Sequence, residues 1–231
     1  MPQYAFNADL RVDASGDVLA VDAGGDSLAV YLANIVVMPN PWTARAQLLD
    51  FGSDIVPPTG GAAQRIGRLG SRFAVTFSAM PALGVLTAQA LLSLRAAARA
   101  NGDGIVFAWP QAPFTAAIGA PVVVGAGQAG TALAIGGVTP SSPALTAGWF
   151  FSFDVAGRNY LHCLTADAAV DGGGAATLSI APMLRASPAD GQPLNFIAPQ
   201  IEGFIDGSSE DWTLDMLAST GLPAFTVTER A

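Results

Sequence analysis

The chain has 231 residues, enough to bury a substantial core without disulfide or metal staples. Its ten basic residues are all arginine and face eighteen acids, a net charge of −8 that repels a phosphate backbone and argues against sequence-specific nucleic-acid binding. One cysteine, Cys163, and one histidine, His162, exclude an intramolecular disulfide, an all-cysteine metal cage and multi-histidine zinc or iron sites.

The first residues, MPQYAFNADLR, lack a basic start followed by an apolar core, so no secretory signal is expected. GDVLAV at 16–21 returns as GDSLAV at 25–30, with Ala23, Gly24 and Gly25 between. The pattern predicts a β-hairpin whose turn takes glycine because positive φ is needed there. A calcium-binding nonapeptide coil on Asp17, Asp22 and Asp26 needs more copies than two to stack, and the hairpin is preferred.

RFAVTFSAM at 72–80 alternates with period two, placing Phe73, Val75 and Phe77 on one strand face, and Pro81 and Gly84 end it. Thr87 then caps AQALLSLRAAARA, whose Leu91, Leu94 and Ala98 share a helical face before Asn101-Gly102. A helix at about 87–100 is the single helix expected. IVFAW at 105–109 follows as a buried strand.

No charged residue occurs from 104 to 153, but repeated Pro and Gly there would break a spanning helix, and no membrane association is expected. Subunit neighbours are a natural cover for so long an uncharged surface. Within it PVVVGAGQAGTALAIGG sets Gly125, Gly127 and Gly130 in G-x-G-x-x-G spacing, with Asp154 some way on. A dinucleotide site needs a helix to begin there, aiming its amides at the pyrophosphate. Gly136-Gly137, Pro140 and Pro143 would break one, so the glycines are expected to form a turn between strands 121–124 and 131–135, with no cofactor.

Short apolar runs at 149–155, 159–166, 176–184, 211–217 and 224–229, separated by Gly, Pro, Ser and Asp, predict further strands. His162 and Cys163 adjoin, so in a strand they leave opposite faces and form no thiolate–imidazolium pair. A buried cysteine and a half-exposed histidine are expected. Glu210, Asp211 and Asp215 read as a solvated or arginine-paired edge rather than an acid–base pair. Arg65, Arg68 and Arg72 form the one basic cluster, suited to carboxylates of this chain or of a neighbouring subunit.

Three segments then stand out as a set: TGGAAQRIGRLGSRFAVTF, the Leu- and Ala-rich run ending LRAAARANG, and GAPVVVGAGQAGTALAIGG. LTAGWFFSF, TADAAVDGGGAATLSIAPMLRASPADGQPL and the closing AFTVTE continue the order. Over roughly residues 40–231 the chain resembles the distal tail and minor tail proteins of long-tailed, siphovirus-type bacteriophages and prophages. The most specific piece is the acid–glycine hairpin with TLSIAPMLR and the proline–glycine turn after it. Family members tend to carry tryptophan where Phe73 stands.

The resemblance implies a β-sandwich with one flanking α-helix and a second small β-domain, barrel or sandwich, inserted in it. Residues 1–115 and 196–231 are expected to form the first, and 116–195 the second. It further implies a structural protein of the virion tail tip, not an enzyme: a homo-oligomeric ring, commonly a hexamer, that joins the tail tube protein to the tail hub protein and the receptor-binding proteins. DNA would pass through it without specific binding, and assembly would take place in the host cytoplasm. Arg65, Arg68 and Arg72 are the candidate subunit contacts. An alternative is a carbohydrate-binding β-module on the virion, stacking sugars on Trp149, Tyr160 and Trp212. An oxidoreductase using Gly125, Gly127 and Gly130 is the third reading.

Overall fold

The structure, a computed structural model, describes residues 43–78, 104–111, 118–140, 145–207 and 224–230, together with four short strands before residue 43 and the single residue Ala96. Those strands are β1 (Leu10–Val12), β2 (Val18–Val21), β3 (Ser27–Leu28) and β4 (Ile35–Val36). β1, β2 and β3 form an antiparallel sheet in which Ala20 pairs with Leu28 and Val21 with Ser27. Residues 18–21 and 27–28 of the two GDxLAV copies are therefore antiparallel neighbours, while the expected glycine turn between them and Asp17, Asp22 and Asp26 lie outside the described residues. Of the expected helix at about 87–100 only Ala96 is described, in helical conformation.

The described chain is mainly β, in the manner of a β-sandwich. A six-stranded sheet runs in the order β4, β9 (Ile105–Ala108), β15 (Gln200–Ile205), β16 (Phe225–Glu229), β8 (Arg72–Ser78), β5 (Thr43–Leu49). All its neighbours are antiparallel except β4 and β9. Alternation in β8 and β16 brings Phe77 to 5.3 Å from Phe225, and Phe107 of β9 is 5.3 Å from Phe77. Each such fully buried aromatic contributes on the order of 2–3 kcal/mol through removal from water.

A five-stranded antiparallel sheet occupies the chain between β9 and β15, in the order β10 (Gly119–Val123), β11 (Gly130–Val138), β14 (Ala176–Leu184), β13 (Arg158–Leu164), β12 (Phe150–Val155). Its core holds Leu133, Ile135, Phe151, Leu164, Leu178 and Ile180 among others. The β12–β13 hairpin is buried on both faces. Phe151, Phe153 and Leu164 enter this second core, whereas Leu161, with Phe150 and Cys163 against it, joins the first, beside Phe73 and Trp109. A strand pair that serves two cores must be apolar on both faces, which is why WFFSF carries so little polar alternation.

β6 (Ser53–Ile55) and β7 (Gln64–Ile66) form a separate two-stranded ribbon between β5 and β8. Neither they nor β5 and β15 stand out in the sequence, and the expected strand at 211–217 lies outside the described residues. β15, QIEGFI, hides its strand character because it spends a buried position on Glu202 and another on Gly203. The glycine is required by closeness: a Cβ there would lie 2.2 Å from the carbonyl oxygen of Thr228 on β16. Gly203→Ala is expected to cost about 2–3 kcal/mol by forcing β15 and β16 apart, read as a lower urea midpoint at unchanged slope.

Candidate functional site

Polar chemistry in the described chain concentrates where the two larger sheets meet. β13 pairs with β14 only at Cys163 and Leu164, so the amides of Asn159 and Leu161 on that edge have no strand beside them. Carboxylates of the other sheet take the place of a strand. Glu202 accepts the Asn159 N–H at 2.8 Å, and Glu229 accepts the Leu161 N–H at 2.9 Å and, with its second oxygen, the Phe73 N–H at 3.1 Å.

Arginines from both sheets complete the junction. Arg185, just after β14, pairs with Glu229 and donates to the Arg230 carbonyl at 2.8 Å, and its guanidinium lies 5.2 Å over the Tyr160 ring. Arg230 reaches Glu202 at 3.3 Å. Burial pushes the Glu229 carboxyl above the usual carboxylate range, against the opposing pull of Arg185 and the two amides. The group's two oxygens are engaged by Arg185 and by the Leu161 and Phe73 amides. Removing it would strand a buried guanidinium and two amides, so Glu229→Ala is expected to destabilise the fold by about 3–5 kcal/mol, measured by urea denaturation.

His162 and Cys163 leave opposite faces of β13 as a strand requires, but their burial is the reverse of the expectation. His162 is fully buried and Cys163 half-buried. The histidine faces the second core, stacked 5.2 Å from Phe153 at an interplanar angle of 4°. Its Nδ1–H donates to the Pro182 carbonyl at 2.9 Å, which leaves Nε2 as a bare acceptor with no partner among the described residues. Burial drives its pKa down to about 3, opposed by the Pro182 bond and assisted by the Arg185 charge. Burial likewise raises the Cys163 thiol, so a thiolate is disfavoured.

The buried neutral imidazole has a pH consequence of definite sign. The unfolded chain takes up a proton near pH 6.5 and the folded chain only near pH 3, so the histidine's contribution is complete above about 6.5 and falls as pH drops from 6.5 toward 3. The slope is roughly 1.4 kcal/mol per pH unit. His162→Phe keeps the stack on Phe153 and removes the titration. Relative to wild type, its unfolding free energy is expected to improve steadily as urea titrations are repeated from pH 6.5 down to 4.

The basic cluster is divided. Arg65 on β7 pairs with Asp50 and, at 3.0 Å, with Asp54 on β6, bracing the exposed ribbon from within. Arg72 at the start of β8 lies 5.2 Å over the Phe51 ring. Arg68 is exposed, and its side chain has no ion pair among the described residues. The three arginines are near in sequence but have different work, Arg65 on the ribbon and Arg72 at the start of a strand of the six-stranded sheet.

Tyr160 is half-buried, with Arg185 over its ring and Phe153 at 6.1 Å. Trp149 packs half-buried against the second core, and Trp212, with Glu210, Asp211 and Asp215, lies outside the described residues. Gly125, Gly127 and Gly130 all take positive φ, the first two in the loop of the β10–β11 hairpin and Gly130 as the first residue of β11. That loop is closed by Gln128, which accepts the Ala134 N–H at 2.7 Å, and by Asp190, which accepts the Gly125 N–H at 2.7 Å. A strand follows Gly130, so the helix amides that hold a pyrophosphate are not built here. Among the described residues no three His, Cys, Asp or Glu side chains group as metal ligands, and no helix is long and apolar enough to cross a membrane.

Sequence reasoning passed over Glu202, Glu229 and Arg185. The signal for Glu229 is present: Phe225, Val227 and Glu229 alternate, which puts the acid on the buried face of its strand. No protein-family model matches the chain, and no curated protein matches it.

Proposed function

We propose that the chain is a structural component of a bacteriophage tail tip. In this reading copies of it form a ring, commonly of six, that joins the tail tube to the hub and the receptor-binding apparatus and lets DNA pass. The protein resides in the virion, is assembled in the host cytoplasm, and performs no catalytic step. Its excess of acids suits a channel along which a duplex slides without being held.

What supports the reading is how the segments that carry the resemblance are used. TLSIAPML lies in β14, the central strand of the five-stranded sheet, and the next residue, Arg185, is bound to Glu229 at the end of the closing strand AFTVTE. The most recognisable stretches of sequence are thus spent on holding sheets together. The titratable groups buried with them, Glu202, Glu229 and His162, are committed to backbone partners. Such a molecule is made to bear contacts.

Light scattering on the purified chain, with negative-stain images of the same peak, tests the proposal. A closed ring with a central hole is expected, and the protein should not be retained on duplex DNA at physiological salt. A chain that stays monomeric even when mixed with tail tube and hub proteins would sink the reading.

A further inference from the structure

The ribbon of β6 and β7 leaves the six-stranded sheet between β5 and β8, and its neck is built. Asp50 accepts the Gly52 N–H at 2.7 Å and the Ser71 hydroxyl at 3.1 Å and pairs with Arg65, while Ser71 Oγ accepts the Phe51 N–H at 3.2 Å. Beyond the neck β6 and β7 pair with each other, and a two-stranded ribbon is marginal in water by itself. Just after β7 the chain meets the other sheet. A Cβ on Gly67 would lie 2.9 Å from the terminal methyl carbon of Met183, so the backbone of the ribbon and the end of a β14 side chain are in contact.

Alternation along β14 places Met183 for this contact. Leu178, Ile180 and Leu184 enter the second core, while Ala181 and Met183 leave by the other face, where Ala181 lies opposite Cys163. Met183 is half-buried there. The hold on the ribbon is thus apolar and made by an unbranched, flexible side chain, the type that adapts to an irregular gap. An alanine at position 67 would be met by a swing of the thioether, so the hold depends on what stands at 183. A thioether is also a reactive group. A peroxide gives one oxygen atom to the sulfur: the O–O bond breaks, an S–O bond forms, the sulfur is oxidised by two electrons and the peroxide is reduced to water. The sulfoxide is polar and chiral, and its oxygen draws water into a contact that had excluded it.

We propose that Met183 is an oxidation-sensitive latch: as the thioether it seats the ribbon on the five-stranded sheet at Gly67, and as the sulfoxide, formed by a peroxide, it lets the ribbon go. The release is reversible, because sulfoxide reductases restore the thioether. Nothing in it depends on the tail-tip reading above.

The sequence supplies its own reporter. The chain has no lysine, so trypsin cuts it only at arginine, and the exposed Arg65 and Arg68 flank the seated Gly67. Cleavage there follows the population in which the ribbon has come away. The test is timed trypsin digestion of the chain carrying Cys163→Ser, which keeps the thiol out of the chemistry, before and after hydrogen peroxide, with oxidation of Met183 read by peptide mass. Cleavage after Arg65 and Arg68 is expected to become about tenfold faster once Met183 is oxidised. Cleavage after Arg158, in the β12–β13 hairpin, should keep its rate. Met183→Leu, apolar but without sulfur, should stay slow before and after peroxide, with Met1, Met38, Met80 and Met216 still present as the control for oxidation elsewhere. Met183→Gln should be fast without peroxide.

Three results would overturn the latch. One is full oxidation of Met183 with no change at Arg65 and Arg68, and another is an equal acceleration by peroxide in Met183→Leu. The third is an equal acceleration at Arg158 and Arg185, which would mean that the whole molecule had loosened. A further measurement needs no substitution at 183 and decides the matter even if those variants fail to fold. Oxidised protein treated with the reductases for both sulfoxide epimers should return to the slow rate as the Met183 peptide returns to its original mass. A fast rate that persists after that peptide is restored overturns the proposal.

Discussion

The amides of Asn159 and Leu161 are the constraint around which the described structure is arranged. A strand edge cannot be buried with its N–H groups unpaired, because each would forfeit its bond to water for nothing. β14 diverges from β13 after two residue pairs, and from there the six-stranded sheet supplies the acceptors with Glu202 and Glu229. Two carboxylates standing in for a strand bring two charges into the interior. Arg185 and Arg230 answer those charges, one from each sheet.

This junction explains features that otherwise look unrelated. The β12–β13 hairpin is apolar on both faces because it lies between the two cores that the junction draws together. Gly203 is fixed because β15 must lie close on β16 for their acids to reach the same neighbouring strand. A buried ion pair contributes little net stability compared with well-packed apolar groups, but it is intolerant of misplacement. Its value here is directional: the sheets meet in a register that gives the Asn159, Leu161 and Phe73 amides their acceptors.

Legibility in the sequence followed the strength of local pattern. β8, β9, β12, β13, β14 and β16 are legible because alternation or unbroken apolar runs announce them, and the GAGQAG loop is legible because glycines followed by Gly136-Gly137 cannot open a helix. β15 was hidden, since a glutamate and a glycine in the middle of a six-residue strand imitate a turn. Only a partner distant in sequence makes them appropriate. The burial of His162 and Cys163 was inverted for a similar reason. Residue type favours an inner cysteine, whereas the second core offers the imidazole an aromatic stack and the Pro182 carbonyl, neither of them visible from the flanking residues. The arginine cluster was legible as a group, but its division between bracing, stacking and an open position depends on Asp50, Asp54 and Phe51.

The carboxylate-for-strand exchange has a consequence for how such a chain can diverge. Recombination readily trades compact insertions between proteins when the host closes over the gap. The five-stranded sheet is no such cassette. It leaves with an open edge, and the host it leaves keeps Glu229 without Arg185 and the Leu161 amide, and Glu202 without the Asn159 amide. Descendants are held to exchange the pair whole or to drift by substitution within it, with Glu202, Glu229, Arg185 and Arg230 inherited as one character.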